Sequence, residues 1–148
     1  MTLTIVNRRT NFDYNIHDTF ESGVVLTGAE VKSIRKNHVS IVDCYVSIKG
    51  REAWVLNWNI PKYEQSFKDD KYNPTRERKL LLKRNETSRI TGMVKRDGYT
   101  IVVSKLYTNK RGFIKLELSL VTSKKKYDKR QYIKEKDERR EMRIKFKE

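Results

Sequence analysis

From Ile114 to Leu120 every second residue is aliphatic, and the residues between them are Lys115, Glu117 and Ser119. A period of two belongs to a strand with one buried and one solvated face, so 113–121 reads as a strand with Lys115 on its outer side. The preceding stretch, Tyr99–Tyr107, carries the same signal, and a loop holding Gly112 joins the two into a hairpin. Upstream, Val42, Cys44, Val46 and Ile48 alternate with Asp43, Tyr45, Ser47 and Lys49. Gly50-Arg51 follows as a two-residue Gly-X turn of the II′ kind, and Glu52–Trp58 returns as the partner strand. Asp13–Leu26 is also strand-like, with Glu21-Ser22-Gly23 as its expected bulge or turn.

Two stretches read as helices. Thr27-Gly28-Ala29-Glu30 is a T-x-x-E capping box that opens Gly28–Arg35. Val31 and Ile34 face inward there, while Lys32 and Arg35 share an exposed side. Thr75–Arg96 is mainly helical in pattern, with Leu82, Glu86, Ile90 and Val94 at fourfold spacing and Gly98 as the stop. Lys79–Leu82 fits either that helix or an extended lead-in. The expected body is an antiparallel sheet of five to seven strands with about three short helices, most simply a small barrel.

The last 25 residues break this grammar. Residues 124–148 hold twelve Lys/Arg against six Asp/Glu, while the other 123 residues carry the remaining +9 of a +15 net charge. Tyr127, Tyr132, Ile133, Met142, Ile144 and Phe146 do not recur at i, i+3, i+4 and i+7, so no apolar stripe can dock on a core. Without burial to offset ordering entropy, this tail is expected to be disordered when free and to order on a polyanion. The division is a body, 1–123, and a basic tail, 124–148. Within the tail, Glu135–Arg139 and Glu141–Lys145 are i, i+4 pairs, too weak alone to hold a helix.

Charge then narrows the partner. A pI near 9.9 fits nucleic acid or an anionic membrane. No 18-residue apolar run, signal pattern or lipidation motif is present, and the tail is not amphipathic, which favours nucleic acid and a cytoplasmic setting. The lone Cys44 excludes disulfides within the chain and reads as a core thiol. Catalytic motifs are missing: the histidines are His17 and His38 only, and Asp69-Asp70 lies among lysines. His17-Asp18 reads as a strand end rather than a dyad. Neither an enzyme, a cofactor nor a metal site is expected. What remains is cations interleaved with Tyr14, Tyr45, Trp54, Trp58, Tyr63, Tyr99 and Tyr107, a surface on which bases can stack while Lys and Arg follow phosphates. A small structural ribosomal protein would share all of this composition.

Specific blocks separate the two. Asn7-Arg8, FDY (12–14), ESG (21–23), GAEVKSIR (28–35), DCY (43–45), PTRERKLLL (74–82) and KKKYDKR (124–130) together resemble the SsrA-binding protein family, small protein B of bacterial trans-translation, across essentially the whole chain. The resemblance implies an oligonucleotide-binding-like β-barrel with short flanking helices and a basic tail. It implies binding to the tRNA-like domain of tmRNA, in a complex delivered with elongation factor Tu to a stalled 70S ribosome. There the tail occupies the decoding centre, against 16S rRNA, and the mRNA channel. By position, the family's RNA contacts on the body fall on Glu21, Leu81 and Lys115, with Lys32 and Arg35 as further candidate cations. The decoding-centre residues fall on Lys124, Lys125, Tyr127, Asp128, Lys129 and Arg130. The protein is expected to act as a monomer, away from membranes. Two departures stand out: Ser123 replaces the usual glycine before Lys124-Lys125, which restricts a hinge, and Tyr127 stands where some members carry histidine.

Overall fold

The computed structural model describes residues 3–37, 39–63, 72–124 and 133–140. Its elements run β1 (Thr4–Val6), α1 (Thr10–Asp13), β2 (Tyr14–Val24), α2 (Gly28–Asn37), β3 (Tyr45–Lys49), β4 (Glu52–Leu56), β5 (Arg78–Leu81), α3 (Arg84–Asp97), β6 (Thr100–Thr108) and β7 (Ile114–Ser123). A further helix, α4 (133–140), lies in the tail, and every residue of it is exposed. Residues 125–132 and 141–148, with Lys125, Tyr127, Asp128, Lys129 and Arg130, lie outside the described residues, as do His38, Asp69 and Asp70.

All seven strands join one antiparallel sheet in the order β1-β6-β3-β4-β5-β2-β7. Strand β6 also pairs with β7, so the pairings return on themselves, with β3 meeting β6 at the single pair Tyr45↔Val102. The expected mainly β body is present, with four helices among the described residues rather than three. Ile114, Leu116, Leu118 and Leu120 point into the core with Val55, Trp58, Ile60, Val103 and Leu106. Ile34 of α2 and Ile90 of α3 are completely buried in the same cluster. One face of each helix therefore seals the sheet.

Local signals are borne out closely. The Thr27 hydroxyl accepts from the Glu30 N–H at 3.2 Å, and the Glu30 carboxylate accepts from the Thr27 N–H at 2.9 Å, closing the capping box. Lys49 faces Glu52 across the Gly50-Arg51 turn, and Gly50 has φ +63°, the sign that a II′ turn requires at its first central residue. Gly98 ends α3 at φ +69°.

One open reading is settled and five expectations are corrected. Thr75–Arg96 is mainly helical, through α3, and the stretch that fitted either helix or extended lead-in is extended: Arg78–Leu81 is a strand held on both sides, Leu80 against Val24 of β2 and Arg78 against Val55 of β4. Pairing on two edges outweighs a helical spacing that only Ile90 uses with full burial. The β2 irregularity lies at His17, where the register to β7 shifts between Ile16 and Asp18, whereas Glu21, Ser22 and Gly23 pair regularly with Glu117, Leu116 and Lys115. His17 is thus mid-strand, not at a strand end. Val42 is 40% exposed because the chain turns before β3 begins at Tyr45. Ser119, expected outside, is buried, and its hydroxyl meets Ser104 Oγ at 2.9 Å. Trp58 fills the core at 1% exposure and is no stacking surface.

Candidate nucleic-acid interface

Register builds the site. Leu81 of β5 pairs with Gly23 of β2, Gly23 pairs with Lys115 of β7, and Lys115 pairs with Tyr107 of β6. These four residues form one row across four strands on the outward face. Beside it runs a second row, in which Glu21 faces Glu117 and Glu117 faces Lys105. Glu21, Leu81 and Lys115, far apart in sequence, are thereby gathered on one patch.

Gly23 gives the patch its floor. A Cβ there would lie 3.3 Å from Leu81 Cβ and 3.6 Å from Lys115 Nζ. The leucine and the lysine thus close over a strand position where a side chain would fit only if they moved apart. Leu81 remains 54% exposed. Two carboxylates directly opposite each other on a sheet repel, and their neighbours relieve the pair: Ser104 Oγ donates to Glu117 Oε1 at 3.0 Å, and the Tyr107 hydroxyl engages Glu21. Burial, the hydrogen bond to Glu21 and the charges of Glu21 and Glu117 push the Tyr107 phenol up to about 12. It therefore stays a donor at any physiological pH. The Lys105 ammonium lies 5.6 Å from the Tyr107 ring centroid.

Beneath this surface the inward-facing Arg78 of β5 and Glu30 of α2 lock the fold. Glu30 and Arg78 are fully buried; Arg78 Nε donates to Glu30 Oε2 at 2.6 Å, and Arg76 Nη2 reaches Oε1. The rest of the Arg78 fork is used, Nη1 on the Trp58 carbonyl at 2.6 Å and Nη2 on the Pro74 carbonyl at 3.1 Å. Burial works to raise the Glu30 carboxyl, but the hydrogen bonds from Arg76, the Thr27 N–H and Arg78 prevail and hold it below its ordinary value. The arginines of PTRERK are therefore structural, tying α2 to β5. Cys44 is buried as expected; burial first, and then Asp43, push its thiol up to about 12, which leaves it unreactive.

The candidate cations of α2 divide. Lys32 lies 5.8 Å from the Tyr63 ring centroid, and Lys36 5.7 Å from it. Arg35 instead reaches the β6–β7 loop, where Nη2 donates to the Gly112 carbonyl at 2.7 Å. Neither side chain joins the four-residue row. Lys124 is tied to the body through its N–H on the Asp13 carbonyl and its ammonium on the Asn11 carbonyl. Ser123 continues β7 opposite Tyr14 and has no positive φ, so the missing glycine becomes one more strand residue. The Tyr107–Glu21 link and the floor role of Gly23 escape sequence inspection. A glycine inside a strand pattern was the available signal for the second.

Fold and face define a class, that of small basic antiparallel-sheet proteins with an outer surface of mixed cationic, phenolic and aliphatic side chains. Within it, the chain belongs to the SmpB protein family, whose model matches residues 4–148. It is 43% identical over 145 residues to an SsrA-binding protein of Parabacteroides distasonis, covering 98% of this chain and 94% of the relative. A Maricaulis maris SsrA-binding protein is 46% identical over 132 residues, covering 89% and 84%. Among solved structures, one described as "tmRNA-SmpB: a journey to the center of the bacterial ribosome" matches with TM-score 0.67 and 37% identity over 83% of this chain and 85% of that one. Among the described residues no helix is long and apolar enough to cross a membrane, and no cluster of His, Cys, Asp or Glu could hold a metal ion.

Proposed function

We propose that this chain is a non-catalytic tmRNA-binding factor of trans-translation, working in the cytoplasm. Its sheet serves as an oligonucleotide-binding-like barrel that holds the tRNA-like domain of tmRNA on the Leu81–Gly23–Lys115–Tyr107 row. Its tail enters the decoding centre and mRNA channel of a stalled ribosome, where Lys124, Lys125, Tyr127, Asp128, Lys129 and Arg130 meet 16S rRNA. Elongation factor Tu joins the complex through the RNA. The observation that carries this reading is the register that assembles Glu21, Leu81 and Lys115 into one patch.

Each of the three groups has a distinct chemical part. Lys115 supplies charge to a phosphate, and Leu81 offers an apolar contact to a sugar or base face. Glu21, held by Tyr107, accepts from base amino groups or 2′-hydroxyls and so rejects RNAs that present none there. Affinity for the tRNA-like domain, measured across a salt series, tests the assignment. Lys115→Ala should weaken binding and make the log–log salt slope shallower by about 0.9, the value for one phosphate on a duplex. Glu21→Ala should leave the slope unchanged and reduce discrimination against unrelated tRNA-like folds. Tighter binding of Glu21→Ala to every RNA alike would refute the recognition role.

A further inference from the structure

The β6–β7 loop, 109–113, is built rather than slack. Asn109 Oδ1 accepts from the N–H groups of Arg111 at 3.0 Å and Phe113 at 2.9 Å. The Gly112 N–H donates to the Asn109 carbonyl, and the Asn109 N–H to the Phe113 carbonyl, both at 2.9 Å. Gly112 takes φ +81°, a conformation that glycine adopts without strain. From outside the loop, Arg35 of α2 clamps the Gly112 carbonyl. Yet this ordered loop packs nothing beneath its aromatic residue. Phe113 is 62% exposed, more than any other exposed large hydrophobic among the described residues. Lys110 and Arg111 are exposed beside it, and among the described residues neither has a carboxylate partner.

We infer that this loop is a second RNA-contact element, in which Phe113 stacks on an unpaired base, Lys110 and Arg111 hold the adjoining phosphates, and Arg35 is a positioning residue. The inference rests on the proposed RNA-binding face. The loop adjoins the end of that face: Phe113 lies two residues before Lys115 and so shares its outward side, while Ile114 between them is buried in the core. A π-face flanked by cations matches a nucleotide whose base is splayed out. Its internal hydrogen bonds mean that little ordering entropy is spent on binding. Arg35, one of the cations assigned to RNA from the sequence, thereby acts through the loop.

The test uses the full chain and a transcribed tRNA-like domain of tmRNA over a series of KCl concentrations. Phe113→Leu keeps apolar bulk but removes the π-face; it should weaken binding about 5- to 150-fold, the range for one stacked base, with the salt slope unchanged. Phe113→Trp should bind like the parent, its indole fluorescence quenched on RNA addition. Arg111→Ala should flatten the slope by about 0.7 to 0.9. Arg35→Ala should speed amide exchange at Gly112 and Phe113 and weaken binding with no change of slope. If Arg35→Ala flattens the slope and leaves exchange alone, Arg35 touches phosphate and the positioning role is wrong. Unfolding midpoints should match throughout. Leu81→Ala and Lys115→Ala serve as references: if they weaken binding while Phe113→Leu does not, the inference alone falls. If all three bind like the parent, the face itself is misassigned. Phe113-dependent binding to anionic lipid vesicles, with RNA affinity untouched by Phe113→Leu, would overturn the inference in favour of a membrane contact.

Discussion

The two faces of β5 reverse the usual rule. Its inward side buries the guanidinium of Arg78 completely, while its outward side leaves Leu81 more than half exposed. The buried charge is tolerated because every direction of the Arg78 fork is answered, by Glu30, the Trp58 carbonyl and the Pro74 carbonyl. The exposed leucine sits between Gly23 and open solvent, beside Lys115, where aliphatic surface stabilises nothing in the isolated fold. Charge inside thus holds the strand, and an aliphatic side chain outside is free for a ligand. On the proposed reading, stability and recognition fall on opposite sides of this four-residue strand and should respond separately to substitution.

The inner side should show the largest effect. Glu30→Ala leaves Arg78 buried without its carboxylate, and urea unfolding should show a loss of about 3–5 kcal/mol. The same pair gives a pH signature. The Glu30 carboxyl is held below the ordinary 4.5 in the folded protein, so its contribution is complete above that value and is lost as pH falls through the lower folded value. Unfolding midpoints measured from pH 7 down to pH 3 should fall in the acid range for the wild type and fall less for Glu30→Gln. Equal slopes would mean that the clamp adds no pH-dependent stability.

A change in the floor of the outer face should be smaller and should appear in binding. Gly23→Val places its Cβ about where Leu81 and Lys115 already close in. Crowding of this kind costs about 1–3 kcal/mol when it is confined. Here the two side chains have solvent to move into, so stability should drop by less than that range. Affinity for the tRNA-like domain should fall several-fold as the pair is pushed apart. Wild-type affinity in a folded Gly23→Val protein would show that the spacing of Leu81 and Lys115 does not matter.

Legibility in the sequence followed distance along the chain. The capping box at Thr27, the Gly50-Arg51 turn, the Gly98 stop and the β6–β7 hairpin are each set by residues a few positions apart, and all were readable. Strand β5 stayed ambiguous between helix and extended lead-in, because what makes 78–81 extended is pairing with β2 and β4, which lie well upstream. Nor could the burial of Arg78 be foreseen, since its carboxylate partner is 48 residues away. The same logic governs the site. Lys115 was legible as the outer residue of an alternating strand, and Leu81, by pattern, would have been placed in the core. Only family resemblance put Leu81 beside Glu21 and Lys115, and the physical reason, a row of four strands meeting over Gly23, exists only in the folded register. In the tail, α4 forms where the sequence offered the pair Glu135–Arg139 and no apolar stripe, and it is exposed on all sides.

Leu81→Ala, assayed in parallel for urea unfolding and for affinity toward the tRNA-like domain of tmRNA, tests the separation of the two faces most directly. Because Leu81 projects outward, the unfolding free energy should stay within about 0.5 kcal/mol of wild type, while RNA affinity falls by about tenfold, equivalent to 1.4 kcal/mol. Unchanged affinity, or an affinity loss accompanied by an equal loss of stability, would contradict the account.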